Sequence, residues 1–286
     1  MALTINTNIS SLVAQGNLAK ATTALNTAIE RMTTGYKINR ASDNAAGYSI
    51  ARNWETQLGS LDVAADNAAT GADMLATLED TYALVTSHIQ RVRDLTEQAA
   101  NGTYGAESLA AIEAEITARL EEVDRISANC EFNGLKMMTG DMTDIALQVG
   151  LYGDGDSQIV LADELFAKSD VKTLFGNTDE LAVIANKCAG LTSGTDASSM
   201  LEKIDGVIET ISGRITTLGA AQNRIESAIE SIDVQSENIT SSLSTLRDAD
   251  IAEESSSYIQ AQILQQAAAT LLSTANQTPS IALNLL

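Results

Sequence analysis

From Ile204 the sequence steps by four and three residues through Ile208, Ile211, Ile215, Leu218, Gln222, Ile225, Ile229, Ile232, Ser236, Ile239, Leu243 and Leu246, and only Gln222 and Ser236 interrupt the apolar run. A heptad held this long predicts a long helix with one sticky seam. The same stepping runs earlier through Ile50, Trp54, Gln57, Leu61, Ala64, Ala68, Gly71, Leu75, Leu78, Tyr82, Val85, Ile89, Val92, Thr96 and Ala99. At 1.5 Å per residue that second helix would be about 75 Å long, far beyond the usual globular length. A shorter seam follows at Leu109, Ile112, Ile116, Leu120, Val123 and Ile126, after the turn-forming run Asn101 to Gly105. Three seams in one chain predict a mainly α protein built as a long coiled-coil-like bundle.

Composition supports the bundle. Aromatic residues make up 3% of the chain against 44% hydrophobic residues overall, so small aliphatic side chains fill the interior. The single proline, Pro279, forces no kink in any helix before it. Between the seams, residues 131–197 read differently. Asn133-Gly134 is a hairpin signal, and Ile145 to Leu161 alternates around Gly150, Gly153, Asp154 and Gly155. Small β-hairpins packed on the bundle are expected there, with a surface loop at Thr192 to Ser199.

The ends carry the second constraint. Residues 1–29 hold one charged side chain, Lys20, and residues 255–286 hold none. Both retain helical apolar spacing: Ile5, Ile9, Leu12, Leu18, Ala21, Leu25, Ala28 and Met32 in the first, Leu264, Ala268, Leu271 and Ala275 in the second, which finishes on Leu285 and Leu286. Soluble surface helices carry charge on their outer face. Here Gln, Asn, Ser and Thr take that place, which suits burial against other protein on all sides. So many amides do not suit a bilayer. Helices of this kind are expected to be loose in the monomer and to order on assembly.

Several function classes are disfavoured. The net charge of −21 argues against nucleic acid and against anionic membranes. Met1 to Lys20 has no basic segment leading into a continuous apolar one, so no secretory signal peptide is expected. His88 is the only histidine and sits beside seam position Ile89, which leaves no basis for a triad or a metal site. Cys130 and Cys188 are read as free, packed thiols, and Asp154 to Asp156 as a turn rather than a calcium loop. No cofactor is expected. Arg91 and Leu95 lie off the seam, four apart on one face, and Glu115 lies off its own seam. They form a candidate contact patch. Ser42 or Asp43 is expected to cap the helix that follows them.

The chain resembles bacterial flagellins. The resemblance rests on "INTNISSL" (Ile5 to Leu12), "AIERMTTGYKINRASDNAAGYSIA" (Ala28 to Ala51), "IQRVRDLTEQAANGT" (Ile89 to Thr103), "AEITARLEEVDRISANCEFNGLKMM" (Ala114 to Met138), "LGAAQNRIESAI" (Leu218 to Ile229) and "AQILQQAAATLLSTANQTPSIALNLL" (Ala261 to Leu286). The blocks lie in order over both halves of the chain.

The resemblance implies an open helical homopolymer, the flagellar filament, outside the cell and serving motility. It implies that residues 1–44 (helix plus spoke) and 247–286 pair as an inner-core coiled coil, with 45–246, the bundle domain with its hairpins near 131–197, as the next shell. Inner-core assembly would fall to Ile5, Ile9, Leu12, Leu25, Ile29, Leu264, Ala268, Leu271, Leu285 and Leu286. The spoke would hinge on Gly35, Ser42, Asp43 and Gly47. Gln90, Arg91, Leu95 and Glu115 would pack against neighbouring subunits and form the epitope of Toll-like receptor 5, with Asp94 where the family more usually has Glu. Export through the flagellar type III apparatus is implied, with an export chaperone, a cap protein and junction proteins as partners. A hook–filament junction protein, which has related ends, is the competing reading.

Overall fold

A computed structural model of the chain describes residues 7–101, 103–176 and 194–283, the side chains of 194–199 and 278–283 excepted. Helix α1 spans Ile9–Thr34, α2 Ala45–Ala100 and α3 Ala106–Asn129. Two hairpins follow: β1 (Glu131–Phe132) with β2 (Leu135–Lys136), and β3 (Ile145–Gln148) with β4 (Gln158–Leu161). A one-turn helix α4 (Val171–Leu174), a long α5 (Gly194–Arg247) and α6 (Ile251–Leu283) complete the chain. Residues 194–199, expected as loop, are the first turns of α5. The helical register of that seam extends backwards through Met200, which is buried. Cys188 and positions 192 and 193 lie outside the described residues.

The chain divides into two compact units, Met1–Leu58 with Glu237–Leu286, and Gly59–Ser236. The boundary falls inside α2 and inside α5. In the unit Gly59–Ser236, every seam position of α2 from Leu61 to Ala99 is buried. It meets Ile112, Ile116, Leu120 and Val123 of α3 and Ile204, Ile211, Leu218 and Ile225 of α5 in one apolar core. On α5 the heptad separates into two ranks. Ile204, Ile211, Leu218, Ile225 and Ile232, seven apart, are buried, whereas Ile208, Ile215 and Ile229 are half-buried. A seam of two positions per heptad places one rank at the centre of the contact and the other at its margin.

The hairpins close this core. Asn133 (φ 49°) and Gly134 (φ 82°) both take the left-handed conformation that a two-residue turn between antiparallel strands requires. In the second hairpin Ile145 faces Leu161 and Gln148 faces Gln158. Its Leu147 lies so close to α2 at Gly71 that a Cβ there would clash with the leucine methyl. Beyond it, the segment with Leu165, Phe166, Val171 and Leu174 is tied down by polar contacts. Arg214 of α5 donates to the hydroxyl of Ser169 at 2.6 Å, and that hydroxyl lies 3.2 Å from the buried Tyr82 hydroxyl. Ser127 of α3 donates to the Ser169 carbonyl. Buried polar groups need such partners, and these hold three helices and a loop in one arrangement.

Candidate functional site

In the other unit α1 and α6 run antiparallel, and their contact is built on alanine. Ala14, Ala21 and Ala28 recur every seven residues on α1, Ala261 and Ala268 do so on α6, and all five are buried. Polar pairs mark the register from end to end. Asn8 donates to the Ala275 carbonyl (2.7 Å), Ser11 to Asn276 (2.7 Å), Gln265 to Thr22 (3.2 Å), and Arg31 pairs with Glu254 (2.9 Å). The two terminal helices are therefore paired with each other within one chain, as the fold class expected.

Of the expected assembly residues, only Ala268 is in this seam, and Leu25 is half-buried beside it. Ile9, Leu12, Leu264 and Leu271 are 67%, 61%, 52% and 63% exposed, and Ile29 is also exposed. Val13, Ile259 and Ile263 join them. The reason is steric. Helices that close on alanine approach near the short end of the helix-packing range and leave no room for leucine between them. The larger side chains turn outwards. Ile9, Val13 and Leu271 line a shallow groove of 430 Å³ near the ends of the two helices. Ile5, Leu285 and Leu286 lie outside the described residues.

The spoke, residues 35–44, begins where α1 ends. Gly35 adopts φ 75° and returns its N–H to the Arg31 carbonyl at 2.8 Å, a helix ending that favours glycine. The chain then pairs with the α5–α6 junction: Lys37 N–H donates to the Arg247 carbonyl, and Ala249 N–H to that of Gly35, both at 2.8 Å. The Arg247 guanidinium stacks over the Tyr36 ring at 4.1 Å and pairs with Glu55 of α2. Asp43 accepts the N–H groups of Arg40 (2.9 Å) and Asn39 (3.1 Å), which hold its carboxyl below the ordinary aspartate range.

The helix cap is neither Ser42 nor Asp43. Asn44 fills it, accepting the Gly47 N–H at 2.9 Å. Asp43 is instead committed backwards, to the turn preceding it. Gly47 is required by space: a Cβ there would lie 2.9 Å from both the Asn44 amide and the buried Ile38. Sequence reasoning missed Asn44, Tyr36 and the two arginine pairs. Asn44 was detectable as a capping residue three positions before a glycine. The arginine pairs join residues about 200 positions apart and leave no local signal.

On α2 and α3, Gln90 and Arg91 are exposed, and Arg91 pairs with Glu115 at 3.0 Å, with Arg119 a further 3.7 Å from the same carboxylate. Leu95 does not belong to that surface. It is 2% exposed, part of the core. The two-position seam places Leu95 outside, but α2 buries a wider stripe that also takes in Met74 beside Leu75, as Leu95 lies beside Thr96. His88 contacts Arg119 at 3.5 Å. Cys130 is buried, its thiol 3.4 Å from the Thr81 hydroxyl, and burial pushes its pKa up. Among the described residues no group of three His, Cys, Asp or Glu side chains is placed to hold a metal ion, and no helix is long and apolar enough to cross a membrane.

The arrangement is that of a helical protein with an alanine-closed terminal pair whose outer face exposes large apolar side chains. Known proteins agree with this class. Residues 5–143 match the family model of the bacterial flagellin N-terminal helical region, and residues 201–286 that of the C-terminal helical region. A flagellin of Xenorhabdus nematophila is 34% identical, with 100% of each chain covered. Flagellin FlaB2 of Treponema pallidum is 32% identical, with 99% of each covered. Among solved structures, a putative flagellar hook-associated protein from Vibrio parahaemolyticus covers 72% of this chain and 100% of its own at 13% identity and a TM-score of 0.61, a likeness of fold. The chain belongs to the bacterial flagellin family. It is a structural subunit of the flagellar filament, an extracellular appendage.

Proposed function

We propose that polymerisation is driven by the outward apolar face of the terminal pair, so that α1 and α6 of neighbouring copies cover Ile9, Leu12, Val13, Ile29, Ile259, Ile263, Leu264 and Leu271. The observation that carries this reading is their exposure on a pair that is otherwise nearly free of charge. Soluble monomers rarely leave so large an apolar face open. Covering eight half-exposed side chains contributes on the order of 10 kcal/mol per subunit. That exceeds the lower estimates for the lost freedom of association and leaves a modest surplus. Contacts of this head-to-tail kind that do not close on themselves produce an open helix.

On this reading residues 1–44 and 247–286 form the inner core, and 45–246 the surrounding bundle. The spoke at Gly35, Asp43 and Gly47 relates the geometry of one to the other. Gln90, Arg91 and Glu115 pack against neighbouring subunits and present the surface for Toll-like receptor 5, while Leu95 acts only by holding that surface in shape. Export follows the flagellar type III route, with the export chaperone on the charge-free C-terminal segment and the cap and junction proteins at the filament's ends. The protein works by assembly and performs no catalysis.

The test is a single charge on the outer face. Leu264→Lys is expected to leave the monomer's helix content and melting unchanged, because Leu264 is exposed there, and to abolish seeded growth. Growth at the parent rate would rule out this face as the driving surface.

A further inference from the structure

A cleft of 710 Å³ opens beside the spoke, within the unit that holds both chain ends. Its walls include Arg31, Lys37, Asn44, Trp54, Ser241 and Ser242. These walls offer cations and donors and little to receive them. Lys37 is exposed, spends one N–H on the Thr245 carbonyl at 3.0 Å, and has no carboxylate within ion-pair distance among the described residues. Arg31 gives one terminal nitrogen to Glu254, while its Nε is buried with no acceptor. Asn44 has its oxygen engaged by the Gly47 N–H, which leaves its amide nitrogen as a donor. The one carboxylate in the wall, Asp43, is already taken up by two backbone N–H groups of the spoke.

We propose that this cleft seats a carboxylate-bearing segment of a second copy of the chain. The proposal rests on the filament reading, because it takes the partner to be the chain itself. Charge identifies the part of that partner. Gly59–Ser236 carries 30 acidic against 11 basic residues, a net charge of −19, whereas the unit with the cleft carries 8 against 6, a net of −2. Stacked copies of so acidic a unit repel one another unless cations of neighbours stand between them. Lys37 and Arg31 are cations that the chain's own carboxylates do not fully satisfy. A glutamate side chain entering the cleft would rest its methylenes on the half-buried Trp54 and give its oxygens to the exposed Lys37 ammonium and the Asn44 amide N–H. The outer apolar face of the pair supplies area without direction. An ion pair in this cleft adds register.

Two substitutions of opposite sign at Ser242 test this. Ser242 is exposed on α5, and both Glu and Lys are good helix formers. Parent, Ser242→Glu and Ser242→Lys are compared by critical concentration for seeded growth and by monomer melting. A carboxylate of the chain's own in the cleft should compete with the incoming one and raise the critical concentration about tenfold. Ser242→Lys, which adds a cation to the seat, should lower it, with all three monomers melting alike. The same pair at Ser241 repeats the comparison if a Ser242 variant melts early. If the parent grows while the Glu and Lys variants behave alike, whether both normal or both impaired, the cleft is no carboxylate seat and the filament reading stands. If the parent itself does not grow, the filament reading fails, and the cleft proposal with it.

Discussion

Replacing Leu95 by alanine separates two roles that its neighbourhood invites one to confuse. The side chain is 2% exposed and belongs to the apolar core with Val92 and Ala99. Deleting its three outer carbons removes buried apolar area and leaves a cavity, a change that costs about 2–5 kcal/mol in well-packed interiors. Gly59–Ser236 spans 178 residues, and for that size each kcal/mol moves the melting temperature by about 2–4 °C. The expected fall is therefore about 5–15 °C, read by calorimetry or by the loss of helical circular dichroism in the monomer. Gln90→Ala, on the exposed side of the same helix, should change stability by less than about 0.5 kcal/mol. Any loss of assembly or receptor response in Leu95→Ala would then follow from a softened helix. If Leu95→Ala melts like the parent, the burial of this residue, and with it the width assigned to the α2 stripe, is wrong.

Gly47→Val forces a side chain into contact with Asn44 and Ile38 and should cost about 1–3 kcal/mol through overpacking, seen as an early loss of amide protection in the spoke. It should also give filaments of altered shape. Asn44→Ala removes the α2 cap and should cost about 1 kcal/mol by thermal melting. The carboxyl of Asp43 has its pKa lowered by the Arg40 and Asn39 N–H groups. Its contribution is therefore complete above the ordinary aspartate value of about 3.9 and lost as pH falls through the lowered folded value. The protection factors of the Asn39 and Arg40 amides, taken against intrinsic exchange at each pH, should fall in that acid window, and Asp43→Asn should remove that fall. Cys130, buried and with a raised pKa, should resist a thiol reagent at mild alkaline pH in a Cys188→Ser background. It should react fully once the chain is unfolded.

The helices were legible because each reports itself locally. A seam of seven-residue period is visible in any window of the chain, and α2, α3 and α5 follow it. The Asn133-Gly134 hairpin was legible for the same reason, since two adjacent left-handed residues need that chemistry. What was not legible was the side on which a residue meets its partners. A period locates a stripe but does not give its width, so Leu95 was placed outside. It also does not say whether the large or the small residues of an uncharged helix form the first contact. On α1 and α6 the alanines close the pair and the leucines and isoleucines face out, the reverse of the usual expectation for a coiled coil. The spoke depended on distant partners: Tyr36 with Arg247, and Arg31 with Glu254, were beyond any local pattern.

The most direct test compares the full chain with a version lacking residues 255–286 in seeded growth, followed by sedimentation and negative-stain microscopy. Removing this stretch strips Ile259, Ile263, Leu264 and Leu271 from the outer face and takes away the partner of Ala14 and Ala21. The account predicts long uniform tubes from the full chain alone, with the shortened chain remaining a soluble subunit that keeps the melting transition of Gly59–Ser236. Tubes of normal length from the shortened chain would contradict it, because assembly would then be driven by the acidic bundle and not by the charge-free ends.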